Sequence, residues 1–165
     1  MASPVEILRT DYSNAAHRYA IPHLLNIYAQ DLLGFRSGID NNILQALVPG
    51  LEKTPNNLVL LARVDNSYVG MAICFFSFST FHAMPLINIH DFMVCPEYRG
   101  RGIGKALLDE IERIAREKGC CKITLEVQEN NTAARRLYGN FGFTDSFLNQ
   151  EAGSQLFMTK ACHRD

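Results

Sequence analysis

Apolar positions in this chain recur with two periods. Over residues 14–33, Ala16, Ala20, Leu24, Ile27 and Tyr28 share one face and Leu32 follows a turn later, which is helical spacing. A shorter helix is expected over 40–48, closed by Pro49-Gly50. A third is expected over 103–118, with Ile103, Leu107, Leu108, Ile111, Ile114 and Ala115 turned inward and Gly119 as its stop. A fourth covers 132–140. Between the helices, the runs 5–10, 58–64, 68–79, 86–94 and 122–128 read as strands, and Asp65-Asn66-Ser67 is a hairpin signal. Gly142-Phe143 leads into a last expected strand pair, near 144–148 and 155–160. The crossover from 86–94 through a helix to 122–128 calls for a parallel pair, while the hairpins call for antiparallel neighbours. The expected fold is a single α/β domain over residues 1–165. It has a mixed, twisted, mostly antiparallel sheet, helices on both faces and a central parallel strand pair.

Composition narrows the partners. The chain has 165 residues, 47% hydrophobic and 20% charged, with net charge -1. That is enough to bury a sizeable core, and no basic face suggests nucleic acid. Apolar runs fall well short of the ~20 residues of a membrane span. The opening Met-Ala-Ser-Pro-Val-Glu lacks the layout of a signal peptide, so a cytoplasmic protein is expected. Cys74, Cys95, Cys120, Cys121 and Cys162 include no Cys-x-x-Cys pair, and the five histidines are scattered. Free thiols and no metal site are expected.

The chemistry concentrates after the strand at 86–94, in Pro96-Glu-Tyr-Arg-Gly-Arg-Gly-Ile-Gly-Lys105. Glycines at 100, 102 and 104 run into a helix start, where unpaired amides and the helix dipole favour a phosphate. Three patterns compete. Walker A spacing is broken twice, because Arg99 stands at the first glycine and Ala106 follows Gly104-Lys105. The dinucleotide pattern lacks its third glycine, which is Lys105, although Glu126 lies near the distance its acid requires. The third pattern is Arg-x-x-Gly-x-Gly, met by Arg99, Gly102 and Gly104. A solvated glycine-rich turn is the plain alternative.

This third pattern resembles the GNAT superfamily of N-acetyltransferases. A second signature supports the resemblance, since Asn131, Ala134, Leu137, Tyr138, Gly142 and Phe143 match Asn-x-x-Ala-x-x-Leu-Tyr-x-x-x-Gly-Phe. The stretches 75–81, 89–94, 96–100 and 153–157 look like the diamine (spermidine/spermine-type) and thialysine acetyltransferase branch. The likeness covers roughly residues 70–160, while the first 60 match only in outline. It implies a GNAT acyltransferase fold, acetyl-CoA as co-substrate, a small primary amine as acceptor, and a homodimer. Acetylation of a protein amine and an acyl-CoA-binding module without catalysis are the alternatives.

The resemblance also assigns roles. The backbone of Phe92, Met93 and Val94 would pair with the pantetheine arm and face the thioester carbonyl. The segment Arg99, Gly100, Arg101, Gly102, Ile103, Gly104 and Lys105 would wrap the pyrophosphate, its cations adding charge. Tyr138 would protonate the leaving thiolate; its plain alternative is a core tyrosine. Asn131 would bond the pantetheine arm or cap a helix, or both, with Ala134 beside it. Asp91 and His90 interrupt an apolar strand and are expected at the acceptor amine, as ammonium ligand or as base through water. Two acids occupy these positions in the diamine branch; Asp91 matches and His90 departs. Glu126 is placed at the acceptor too, or else pairs at the surface with Lys122 or Arg113. The branch has an acid where this chain has Ala152, beside Glu151, and fewer acids disfavour a long polycation. Residues 34–55 are expected to shape the acceptor mouth. Cys95 has no His or acid arranged around it as a nucleophile would.

Overall fold

The computed structural model describes residues 4–31, 37–145 and 157–162. In chain order its elements are β1 (Val5–Arg9), α1 (Ala15–Gln30), α2 (Asn41–Lys53), β2 (Asn57–Val64), β3 (Ser67–Ser79), β4 (Met84–Val94), α3 (Ile103–Glu117), β5 (Ile123–Leu125) and α4 (Thr132–Phe141), with a 3-10 turn at Pro96–Tyr98 before α3. The described strands form one sheet in the order β1-β2-β3-β4-β5, antiparallel except for the parallel β4–β5 pair. That pair is the expected one, and β5 is outermost among the described strands.

Local chemistry explains most boundaries. Asn14 caps α1, its Oδ1 accepting from the Ala16 amide at 2.9 Å, and Asp40 caps α2 through the Asn42 amide at 2.7 Å. Helix α2 departs from expectation by running through Pro49-Gly50 to Lys53. Val48 and Leu51 are buried against α1 and the sheet, and that burial offsets the amide bond lost at the proline. Gly119, at φ +65, ends α3 as expected. Strand β5 is shorter than the expected 122–128. The described parts of the two expected C-terminal strands, 144–145 and 157–160, are not in a strand; residues 146–156 lie outside the described residues.

Strand alternation divides the core in two. Leu58, Leu60 and Ala62 of β2 face α3 and α4, while Val59 and Leu61 face α1 and α2. On the α3 side, Leu107, Leu108 and Ile111 are fully buried. Each such side chain stabilises the fold by about 1.5–3 kcal/mol relative to exposure. No helix among the described residues is long and apolar enough to cross a membrane.

Candidate active site

An irregularity in β4 makes the site. Ile73 of β3 pairs with Asp91 and Cys74 with Ile89, so His90 is an extra residue, a β-bulge. Ile87 and Ile89 precede it on the α3 side. Beyond it, Phe92 and Val94 pack on the α3 side, and Asp91 and Met93 share the α1 side with Ile73 and Met71. The parallel pairing with β5 ends at Ile89↔Leu125, one residue before the bulge. From there β4 continues with β3 alone to Gly70↔Val94, while the chain after Leu125 turns off towards α4. Past Ile89, β4 has no β5 partner among the described residues, and this edge is the notch.

The glycine loop lies beyond the end of β4. Gly100 and Gly102 sit at φ +75 and +81, where a side chain is strained, and the space where each Cβ would stand is open. Gly102 is the N-cap of α3, and no side chain caps the helix. The first-turn amides are therefore donors at the positive end of a 15-residue helix with no acid in its first turn. Gly104 has a different reason to be glycine: a Cβ there would lie 2.9 Å from Leu137 Cδ2, so it permits α4 to pack closely on α3. Buried Ile103 anchors the turn. The three cations assigned to the phosphate all have protein partners. Lys105 pairs with Asp109 at 2.7 Å, Arg101 lies over the Tyr98 ring, and Arg99 pairs with Asp31 while its Nε donates to the Val94 carbonyl at 3.0 Å.

Helix α4 brings Tyr138 to the notch. Its ring meets Phe92 and Phe143 edge-on at 5.8 and 5.7 Å. It is buried, and its hydroxyl makes no hydrogen bond among the described residues. Burial, then the neighbouring Tyr28, hold the phenol well above its ordinary pKa, so it keeps its proton at neutral pH. Asn131 caps α4, its Oδ1 accepting from the Ala134 amide at 3.1 Å, which is its expected structural role. Ala134 packs against the α3-side core.

Asp91 lies on the other side of β4, the α1 side, with Ile73. Burial raises its carboxyl pKa, and the charge of His90 partly opposes the rise. The Asp91 charge is felt by the Tyr28 phenol, raised first by burial, and by Cys74 beneath it, pushed up to about 12 mainly by burial. Tyr28 was legible in the sequence only as a helix-face residue, yet it lies electrostatically between Asp91 and Tyr138. Asp31 was missed entirely. His90 is exposed at the rim, its ring 5.6 Å from Phe75 at 78°. Glu126 is exposed one residue past the end of β5, and Arg113 pairs with Glu110 and Glu117 instead. Cys95 is buried with its thiol pKa raised by burial, so it is a poor nucleophile. A surface hollow of about 440 Å³ lies elsewhere, between α1 and α2, lined in part by Arg18, Tyr19, His23 and Pro49.

The sheet, the notch and the uncapped glycine loop together define an α/β fold also found in solved acetyltransferases. One is a possible acetyltransferase from Clostridium difficile 630, with TM-score 0.77 and 17% identity, covering 96% of this chain and 99% of that one. Another is an aminoglycoside N-acetyltransferase in complex with CoA, with TM-score 0.75 and 18% identity, covering 98% of each chain. At such identities the likeness is one of fold. The model of the Acetyltransferase (GNAT) family matches residues 21–143, and the chain belongs to that family. It is similar to the thialysine N-epsilon-acetyltransferase of Bos taurus, 38% identical over 77 residues, which are 47% of this chain and 45% of that one. The chain thus spans about half the length of the curated relatives it matches first.

Proposed function

We propose that this chain is an acetyl-CoA-dependent N-acetyltransferase that passes the acetyl group directly to a primary amine of a small molecule. One observation carries the reading: the bulge at His90 lies where β4 loses its β5 partner, on the strand that leads to an uncapped helix start, and Tyr28 couples electrostatically to both Asp91 and Tyr138 there. The helix start suits the pyrophosphate of coenzyme A, and the exposed β4 backbone suits the pantetheine arm. The neutral amine nitrogen attacks the thioester carbon, and the C–S bond breaks as the amide C–N bond forms. The surplus proton on nitrogen leaves towards Asp91 or His90 through water. The departing sulfur takes the proton of Tyr138, a phenol that burial keeps protonated. Ionised Asp91 also suits an incoming ammonium, and a single acid there fits a compact amine better than a long polycation.

The test is thiol release from acetyl-CoA across a panel of small amines, amino acids and peptides. Release that depends on a small amine is expected. Coenzyme A binding with no transfer to any amine would leave a binding module and remove the enzyme reading. A cytoplasmic homodimer belongs to the same proposal by resemblance, and a single-chain mass in sedimentation would remove the dimer.

A further inference from the structure

We infer that Asp31 is a positioning residue for the donor loop: it holds Arg99 as a brace between the end of β4 and the end of α1, rather than leaving Arg99 to bind phosphate. The inference rests on the donor reading above for its kinetic consequence, but its geometry is independent of that reading. Arg99 immediately precedes Gly100, where the chain turns to positive φ. Its side chain does not extend over the loop. The guanidinium folds back, with Nε on the last carbonyl of β4, Val94, at 3.0 Å and a terminal nitrogen on the Asp31 carboxylate. The planar fork makes both bonds at once, which a lysine ammonium on its flexible stem does not reproduce.

The partners differ in burial, and this separates Arg99 from the other loop cations. The Asp31 side chain is 14% exposed, so its charge depends on a partner. Lys105 and Asp109 are 66% and 50% exposed, an i,i+4 pair that yields to a ligand at little cost. Arg101 lies on the exposed surface over Tyr98. Asp31 is also the C-cap of α1, a helix with no basic residue in its last turn. A carboxylate at the negative end of a helix is unfavourable unless a cation answers it, and Arg99 is such a cation. The Asp31 amide donates to the Tyr28 carbonyl at 3.2 Å. The brace therefore ties the turn that carries Tyr28 to the strand end where the glycine loop begins.

The variants Asp31→Asn, Asp31→Glu, Arg99→Gln, Arg99→Lys and the Asn/Gln double test this by two measurements. The first is amide exchange over residues 94–104 in the ligand-free protein. The second is calorimetric titration with coenzyme A. Asp31→Asn and Arg99→Gln should both speed exchange and weaken coenzyme A alike, by about three- to tenfold. The double variant should be no worse than the poorer single, because either single already removes the Arg99–Asp31 pair. Asp31→Glu should recover most of the loss, and Arg99→Lys should not. If Arg99→Gln weakens coenzyme A while Asp31→Asn leaves it unchanged or tightens it, Arg99 is a phosphate ligand and the brace is overturned. Unchanged exchange in both variants overturns it too. A wild-type chain that binds no coenzyme A would sink the donor reading alone, and the exchange comparison would still decide the brace.

Discussion

On the α3 side of the notch, the proposed anion site is contiguous in sequence and made of backbone: two glycines at positive φ and the open first turn of a helix. On the α1 side, the proposed chemistry draws on side chains from separate elements, Asp91 on β4 and Tyr28 on α1, with Tyr28 coupled in turn to Tyr138 of α4. A backbone site tolerates change in the side chains at its rim but not a change of φ. A side-chain site tolerates backbone variation but not loss of a functional group. The two halves should therefore fail in different ways when mutated.

The largest effect is expected at Tyr138. Tyr138→Phe removes the acid and keeps the ring between Phe92 and Phe143, so the maximal rate should drop by about a hundredfold. Coenzyme A affinity should stay within about twofold of wild type. A parallel loss of affinity would place Tyr138 with donor binding instead. Next is Gly102→Val, a β-branched residue at φ +81. It should weaken coenzyme A by about tenfold, given the roughly 1–2 kcal/mol of left-handed strain, and leave the KM for the amine unchanged.

Asp91→Asn should do the reverse, raising the KM for the amine by about tenfold through loss of a charged hydrogen bond while sparing donor affinity. It should also stabilise the fold in a defined pH range. Burial raises the Asp91 carboxyl pKa, so folding favours its protonated form. That contribution is complete below the unfolded carboxyl pKa and is lost as pH rises through the raised folded value. The Asn variant should therefore melt above wild type at neutral pH, and the gap should close in acid. Equal melting at both pH values would mean that Asp91 is not desolvated. The smallest effect is expected at Gly104→Ala. Its Cβ would stand 2.9 Å from a Leu137 methyl, which can swing aside. A loss of about 1 kcal/mol in thermal unfolding is expected, with kinetics unchanged.

The same division explains how far the sequence could be read. Helices α1, α3 and α4 and the antiparallel strands follow from periodicity, and the glycine loop from local residues whose spacing is itself the signal. The extension of α2 through Pro49-Gly50 was not legible, because it depends on where Val48 and Leu51 become buried. Nor was the early end of β5, since Glu126 and Val127 continue its alternation after pairing has ceased. Asp91 was found because an acid in an apolar strand requires a reason. Tyr28 carried no such mark: an aromatic on an apolar helix face is ordinary until the fold sets it near an acid. Asp31 and Arg99 meet only through the tertiary structure, so no local pattern announces them.

The bulge at His90 has a consequence for insertions and deletions. Sides are kept across it: Ile89 faces α3 and Asp91 faces α1, as they would in a regular strand that simply lacked His90. Replacing His90 by alanine keeps the surplus residue and so keeps the kink. Deleting it would leave every neighbour facing the same way while removing the irregularity beside which the pairing of β4 with β5 stops. The opening in the sheet thus depends less on which residue stands at position 90 than on there being one residue too many.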